Sequence, residues 1–354
     1  MFVWRIFLVG LVFLTFEERF DLFFCVKRFL WIFFLLIGWM NDVHPMDNYV
    51  RDSTVQYVDD LTHLFNLRLY TLTKFNTLDI IHPPEKIILR PNGNTNYGIG
   101  FNYKRLGLAV AFGRPLSQSS IEKYGSTNRL DMQVSMYGKR IGLDGFVQWY
   151  QSYYVANPDD FVNWDKPQYP LKKDLQVFSI GASGFYLTNS ERFSYRASYL
   201  RNEVQQRSAG SFAAGIFFYH DMVRSENGFV PAEFPDSIND DFDLKDFDAT
   251  TLGILIGYQH TFVIKKNFFV NFQLTPGVGY RRLDVTALGG KSSPENRPAW
   301  QVLGRLGLGY EFDWFYIGAM ASIVWRSYQY KDYEVDLGTE QFRFMVGKRF
   351  DISR

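Results

Sequence analysis

The chain has 354 residues and a formal net charge of +1, with 38 Lys and Arg residues against 37 Asp and Glu residues. Such a small net charge argues against a nucleic-acid-binding protein that depends on a global positive field. The single cysteine excludes an intramolecular disulfide framework and a cysteine-cluster zinc site. Aromatic residues make up 18% of the chain, which is too many for a disordered protein.

The first forty residues carry two apolar runs, from Ile6 to Phe16 and from Phe29 to Met40. Each run is shorter than the roughly 18–20 residues that a helix needs to cross a bilayer. The second run directly follows the basic pair Lys27 and Arg28, and this order is typical of a secretory signal peptide. We therefore interpret residues 1–40 as a hydrophobic export segment whose start codon is open to reassignment. A retained helical-hairpin anchor is the alternative.

A polar lead follows at residues 41–66, and we expect it to lie in the periplasm. Beyond it, segments of roughly 10–13 residues alternate in polarity, which predicts a transmembrane β-barrel with one face toward lipid and one toward the lumen. In residues 300–312 the even positions are apolar and the odd positions are mostly polar or small. Residues 315–325 would extend about 33 Å and, tilted by about 40°, would cross a lipid-facing band of about 25 Å.

Turn lengths and strand count define the predicted topology. Short turns alternate with long connections, and outer-membrane barrels place their short turns in the periplasm. Bacterial barrels usually have an even number of strands, so a weak strand at 229–234 would raise the count to fourteen, whereas one wrong strand would lower it to twelve. The thirteen segments lie near residues 67–77, 95–105, 106–114, 129–138, 140–150, 175–187, 193–202, 210–220, 249–262, 268–281, 299–312, 314–327 and 339–350.

The prediction is an all-β protein. Its fold class is an antiparallel transmembrane β-barrel of 12–14 strands, of the outer-membrane type, which occupies residues 67–354 in the outer membrane of the cell. A soluble β-sandwich also alternates in polarity and is the alternative. Strands longer than the usual 5–6 residues, the aromatic apolar faces and the export segment all favour the barrel.

Several short motifs stand out along the predicted barrel: Arg68-Leu69-Tyr70, Lys74-Phe75-Asn76, Leu89-Arg90-Pro91-Asn92, Asn96-x-Gly98-x-Gly100-Phe101-x-Tyr103-Lys104, Phe262-Val263-Ile264-Lys265-Lys266-Asn267-Phe268-Phe269 and Thr275-Pro276-Gly277. Together they resemble the Bacteroidota family labelled domain of unknown function 4421. The resemblance covers roughly residues 55–350 and implies an outer-membrane-type barrel, and it supplies no catalytic residues.

The predicted lumen is basic. Rings of Arg and Lys inside a pore favour anions, so the excess predicts a narrow anion-preferring channel or a barrel that binds an anionic solute. The alternative is a closed barrel whose arginines pair with lumen carboxylates, loop acids and tyrosine hydroxyls. The acids on the same face are Asp131, Asp144 and Glu311. The basic residues that alternation points inward or toward a mouth are Arg68, Lys74, Lys104, Arg129, Arg196, Arg281, Arg305, Arg343 and Arg349.

One long connection is strongly acidic and raises the possibility of a bound cation. Ca²⁺ takes six to eight oxygen ligands, which clustered carboxylates can provide. The spacing lacks the repeated Asp-x-Asp-x-Asp-Gly pattern, so a solvated loop is the preferred interpretation and a Ca²⁺ site the alternative. No other metal or cofactor is predicted. The aspartates are Asp236, Asp240, Asp241, Asp243, Asp246 and Asp248.

Two further function hypotheses concern catalysis and assembly. His220 and His260 lie near strand ends, where a barrel-embedded hydrolase can place a histidine, but no nucleophile stands in register with them, so we predict no catalytic residues. The aromatic strand at 339–350 is typical of the terminal strand that outer-membrane assembly machinery recognises. The predicted partners are that machinery, outer-membrane lipid and lipopolysaccharide, and not nucleic acid. A structural or assembly barrel is therefore the main alternative to a channel.

Overall fold

The computed structural model describes residues 56–352 except positions 94, 105, 236, 237, 239–241, 266, 292, 293 and 313. The predicted export segment at 1–40 lies outside the described residues, as does most of the predicted lead. Over the described ranges, no helix has the length and apolar character that crossing a membrane requires.

The described chain is almost entirely β-structure, and every paired strand runs antiparallel to its neighbour. A short α-helix, α1 (Gln118–Tyr124), lies in the connection between β5 and β6, and Pro158–Asp160 forms a 3₁₀ turn between β7 and β8. The strands are β1 (Val58–Asp60), β2 (Phe65–His82), β3 (Glu85–Arg90), β4 (Asn96–Tyr103), β5 (Leu106–Gly113), β6 (Asn128–Tyr137), β7 (Ile141–Val155), β8 (Leu171–Leu187), β9 (Glu203–Gln205), β10 (Ala209–Arg224), β11 (Asp246–Ile264), β12 (Phe268–Ala287), β13 (Gly290–Lys291), β14 (Glu295–Glu311), β15 (Tyr316–Tyr330) and β16 (Tyr333–Phe350).

Ten of these strands pair in a closed ring. The last strand, β16, pairs with β2 along its length, from Glu334 opposite Ile81 to Phe350 opposite Phe65, and this pairing closes the barrel. The ring continues from β2 through β3, β7, β8, β10, β11, β12, β14 and β15 back to β16. The β3–β7 junction is short, because only Leu89 and Arg90 pair across it.

Beyond the β3–β7 junction, toward the start of β2, the ring is incomplete. β4 pairs with the first half of β2, and β5 pairs with β4. β6 pairs with β7, and no backbone pairing in the described part of the chain joins β5 to β6. We call the space between β5 and β6 the seam. With the short strands β3 and β13 included, the sheet contains 14 strands.

The predicted alternation of faces is confirmed. In β14, Trp300 is 63% exposed, whereas its neighbour Gln301 is 3% exposed. In β16, Phe342 and Phe344 are exposed and Met345 is buried. Outward apolar side chains on β10 and β11 are similarly exposed, which is the exterior that a lipid-facing barrel presents. The predicted fold class, an outer-membrane-type antiparallel barrel, is confirmed.

Two of the predicted strands are wrong. Within 193–202, Arg196–Leu200 forms a π-helix, and its apolar residues are buried inside the barrel rather than turned toward lipid. Residues 229–234 form bends and turns that pack into an apolar core. In both places the apolar residues pack into the interior of the barrel, and their spacing in the sequence resembles the alternation of a strand. The other twelve predicted segments each have a counterpart, which agrees with the lower strand count.

The two ends of the barrel differ. The short turns after β4, β6, β11 and β14 lie at the end where β2 begins and β16 finishes, and we call it the short-turn end. The opposite long-loop end contains a large apolar core in which strand residues such as Leu78 and Val177 pack against loop residues such as Phe229 and Phe242. The connection 188–208, between β8 and β10, folds into the short-turn end, and we call it the plug.

Candidate functional site: the filled interior and the seam

The plug contacts several walls of the barrel at once. The carbonyl of Leu200 accepts hydrogen bonds from Arg68 at 3.2 Å and from Asn102 at 3.0 Å, on β2 and β4. On the other side, the Tyr199 hydroxyl lies 3.1 Å from the amide oxygen of Gln273 on β12, to which it donates. Tyr195 is 1% exposed and packs within the aromatic cluster that fills this end. The plug therefore spans the lumen.

Arg201 ties the end of the π-helix to the barrel wall. Its backbone adopts a left-handed conformation with φ of 61°, and its side chain is 4% exposed. The guanidinium pairs with Glu311 on β14, and Glu311 also binds Arg349 on β16 at 2.9 Å. Arg349 in turn donates to the Arg201 carbonyl at 3.0 Å. β9 lies within the plug and pairs with β1, so the chain before the barrel also holds the plug.

Each acid predicted to face the lumen pairs with one of the predicted basic residues. Three ion pairs therefore neutralise three of the nine predicted basic residues, in the manner that the second interpretation of the lumen charges expects. The pairs are Lys74 with Asp131 at 2.5 Å, Arg305 with Asp144 at 2.8 Å, and Arg349 with Glu311 at 2.9 Å.

Three other predicted basic residues lie in different surroundings. Arg196 belongs to the plug and not to a strand, because the segment around it is helical, and it pairs there with Glu203 at 3.0 Å. Lys104 occupies the exposed turn after β4. Arg281 is 1% exposed and donates to the carbonyls of Ser327 and Gln329, each at 3.2 Å. These three residues do not form one basic cluster.

Arg68 and Arg343 lie close to each other in the interior without a carboxylate partner among the described residues. Arg68 donates to the Leu200 carbonyl, and Arg343 lies over the ring of Tyr70, 5.1 Å from its centroid. The Nε atom of Arg343 is buried and has no hydrogen-bond partner there. Arg129, the remaining predicted residue, is exposed beside the seam and donates to Asn96 at 3.0 Å.

The most buried charge cluster was not among the predicted residues. Asp221 is fully buried and accepts two hydrogen bonds from Arg326, both at 3.0 Å. It also accepts from Tyr328, and from Ser179 at 2.5 Å. Alternation along β10 and β15 places Asp221 and Arg326 on the inner face. The predicted strand at 210–220 ended one residue before Asp221. Beside Arg326 the lumen keeps a cavity of about 20 Å³, which is room for about one water molecule.

The acidic connection is only partly described. Asp236, Asp240 and Asp241 lie outside the described residues. Asp243 accepts from the Leu288 amide at 2.9 Å, and Asp246 and Asp248 belong to β11. Among the residues that the structure describes, no group of three or more His, Cys, Asp or Glu side chains could hold a metal ion. The solvated loop therefore stays the prediction, and the Ca²⁺ site stays its alternative.

The two histidines near strand ends have local partners. His220 lies 3.0 Å from the Thr250 hydroxyl and 3.7 Å from Asp248. His260 lies 2.9 Å from the Tyr258 hydroxyl and packs among outward-facing rings that include Phe272. In outer-membrane barrels, aromatic side chains of this kind commonly collect at the edge of the lipid band.

These features define a plugged β-barrel of the outer-membrane type. The model of the family described as Domain of unknown function (DUF4421) matches residues 50–350, and the chain belongs to this family. No curated protein matches the sequence.

Solved structures of other barrels show a distant likeness. The outer membrane protease OmpT from Escherichia coli is 8% identical, with a TM-score of 0.37, and the match covers 84% of this chain and 99% of that one. The translocator domain of the autotransporter NalP from Neisseria meningitidis is also 8% identical, with a TM-score of 0.34 and coverage of 80% and 88%. The toluene transporter TodX of P. putida is 8% identical, with a TM-score of 0.25 and coverage of 84% and 91%.

Proposed function

We propose that the protein is a closed barrel of the outer membrane with a structural or assembly role in the cell envelope, and that it is neither an axial channel nor an enzyme. The observation that carries this proposal is the filled interior. The plug occupies the short-turn end, ion pairs cross the middle, and an apolar core occupies the long-loop end.

A continuous water-filled path along the barrel axis would require the plug, the ion pairs and the apolar core all to rearrange. The plug buries Phe193, Tyr195 and Tyr199, and burial of one large apolar side chain contributes about 1.5–3 kcal/mol. Displacing the plug would also separate Arg201 from Glu311 and break the hydrogen bond that Arg349 donates to the Arg201 carbonyl. Spontaneous opening of the lumen is therefore unfavourable.

Conductance in a planar lipid bilayer tests this proposal. We expect no sustained single-channel current from the purified protein. A variant in which a short Gly-Ser linker replaces residues 192–206 should also stay closed, because it keeps the ion pairs across the middle and the apolar core at the long-loop end. Heat-dependent mobility in SDS gels checks that both proteins are folded. Sustained current from the intact protein would refute the proposal.

A channel with a preference for anions is the second candidate, and Arg68 and Arg343 favour it because no described carboxylate neutralises them. Sustained current from the intact protein would provide the test. Under a salt gradient its reversal potential should indicate anion preference, and Arg343→Gln should reduce that preference. A cation-selective current would contradict the anion assignment.

The proposed location follows from the lipid-facing exterior together with the export segment predicted at residues 1–40. The aromatic outer face of β16 supports recognition by the assembly machinery, and the barrel exterior supports contact with outer-membrane lipid and lipopolysaccharide. Fractionation of cell envelopes tests the location. Recovery of the protein in the soluble or inner-membrane fraction would refute it.

A further inference from the structure

The seam leaves two strand edges without backbone partners in the described structure. β5 is bonded to β4 on one side, and β6 is bonded to β7 on one side. Their outward side chains are as exposed as those of the lipid-facing strands, with Leu108 at 62% and Met132 at 55%. Unpaired backbone groups are costly in hydrocarbon. The seam is therefore a discontinuity in the wall at the level of the lipid band.

The seam has an apolar outer rim and a small or polar inner face. On the inner face Ala109 and Ala111 alternate with the outward residues of β5, and Gln133 and Ser135 do the same on β6. All four are exposed although they point to the interior, so the interior is accessible there. The outer rim consists of Leu108, Val110 and Phe112 on β5 and Leu130, Met132, Val134 and Met136 on β6.

The two arginines that have no carboxylate partner among the described residues lie on β2 and β16, which are two and three strands from the free edge of β5. Arg68 belongs to β2, which pairs with β4, and Arg343 belongs to β16 on the other side of β2. Glycines on β4 make room for them. A Cβ atom at Gly98 would lie 2.2 Å from the Tyr70 ring that supports Arg343, and one at Gly100 would lie 2.7 Å from Arg68 Nε.

The surrounding charges leave Arg343 short of negative charge. Lys74 and Arg305 lie close enough to repel it, and each already holds its own carboxylate. The described interior thus contains two adjacent guanidiniums that a carboxylate or phosphate oxygen would satisfy. Guanidinium groups bind both anions through paired, charge-assisted hydrogen bonds.

We propose that the seam is a lateral binding site for an anionic amphiphile that enters from the bilayer. Its phosphate or carboxylate head binds Arg343 and Arg68, and its acyl chain lies against the apolar rim of the seam. Charge complementarity favours this occupant over an extended peptide, because a peptide backbone pairs with the strand edges but does not neutralise two guanidiniums. The site does not depend on an axial channel and stands independently of the proposed function.

Two polar contacts cross behind the opening and limit its width. Lys74 on β2 binds Asp131 on β6 at 2.5 Å, and Arg129 on β6 donates to Asn96 on β4 at 3.0 Å. Asp131 also accepts from Tyr150 on β7 at 2.5 Å. These contacts hold β6 near β2 and β4 while the backbone edges stay apart.

Native mass spectrometry of the full chain in a neutral detergent provides the first test. The probes are phosphatidic acid and phosphatidylcholine with identical acyl chains. We expect the protein to retain phosphatidic acid preferentially. Arg343→Gln should weaken its binding about tenfold, as for the loss of one charged hydrogen-bonding group. Lys348→Gln, which removes an exposed charge from the same strand, is the matched control and should leave binding unchanged.

Two further variants test the second arginine and the route by which the lipid enters. Arg68→Gln should weaken phosphatidic acid binding in the same direction, and heat-dependent gel mobility establishes that each variant is folded. Ala109→Phe narrows the seam and should reduce lipid binding. Inorganic phosphate should compete poorly, because it lacks the acyl chain that the rim contacts. If phosphate competes as well as the lipid and Ala109→Phe has no effect, the anion comes from water and the lateral site is refuted.

Hydrogen exchange tests the open edges directly. Without added lipid, the amides of β5 and β6 should exchange faster than those of β10, and phosphatidic acid should slow them. Exchange in β5 and β6 that is already as slow as in β10 would show that the two edges pair, and would overturn the proposal. Equal retention of both lipids, or unchanged affinity in Arg343→Gln, would overturn it as well.

Discussion

At the scale of single residues, the interior is organised by buried charges whose partners come from distant strands. Asp221 on β10 binds Arg326 and Tyr328 on β15 across the lumen. A carboxylate with no exposed surface is tolerated only because several donors satisfy it. The cluster thereby fixes the spacing of opposite walls.

Asp221→Asn should destabilise the barrel, because it leaves the Arg326 guanidinium buried without a counter-charge. We expect the free energy of unfolding to fall by about 3–5 kcal/mol, measured by urea titration of tryptophan fluorescence in lipid vesicles. Asp284→Asn is the control. Its partner Arg282 is 67% exposed, so the change should stay below about 1 kcal/mol. Equal effects of the two substitutions would contradict the assignment.

A glycine on the lumen face of β16 gives a second prediction at this scale. A Cβ atom at Gly347 would lie 2.2 Å from the Tyr316 ring, which is fully buried and cannot retreat easily. Gly347→Ala should therefore cost about 1–3 kcal/mol of stability through overpacking. Gly318→Ala on β15 is the matched control, since its Cβ atom meets other atoms only at 3.4 Å or more. The same urea titration compares them, and equal stability would refute the close approach.

At the scale of elements, the plug and the seam distinguish this barrel from a continuous cylinder. The plug closes the short-turn end with a π-helix, and Arg201 connects it to Glu311 and Arg349. Because the contacts of Arg201 are local, a single substitution can remove them. The barrel wall has its own ladders of backbone hydrogen bonds, which are interrupted at the seam, and it should survive the loss of these contacts.

Arg201→Gln should loosen the plug while the barrel remains folded. The substitution removes the ion pair with Glu311, so limited proteolysis should cut within 188–208 several times faster than in the parent protein. Arg207→Gln, an exposed substitution in the same segment, should leave the cleavage rate unchanged. Loss of heat-dependent gel mobility in Arg201→Gln would instead mean that the plug is needed for the whole fold.

At the scale of the whole molecule, closure depends on the pairing of β2 with β16. These strands are far apart in the sequence, so the ring forms only when the last strand is in place. A closed ring removes exposed edges everywhere except at the seam, and it explains why a barrel resists detergent.

Truncation before β16 tests this closure. The intact protein should migrate differently in SDS gels before and after boiling, because the folded ring resists SDS at room temperature. A chain ending at Asp332 lacks β16 and should show no such shift. A truncated chain that still shifts on heating would mean that β15 and β2 close the ring without the last strand.

The sequence predicted the elements far better than the site. Alternation located twelve strands and their lipid faces, because successive residues of a strand point to opposite faces of the sheet. It failed at 193–202, where apolar residues around Tyr195 pack inside the lumen. It also named nine basic residues without showing which were neutralised. The partners of Lys74, Arg305 and Arg349 lie on other elements, so pairing was not visible along the chain.

By itself the sequence determined the barrel, its strand faces and the basic character of its inner side, since a two-residue period and turn residues act within a few positions. The tertiary structure decided what depends on distance across the barrel. It placed the plug in the short-turn end and paired Asp221 with Arg326. Within the part of the chain that the structure describes, it also left Arg68 and Arg343 without carboxylate partners and the seam without backbone pairing. Charges and strand edges find their partners only when distant segments meet, and no local pattern records which ones remain without a partner.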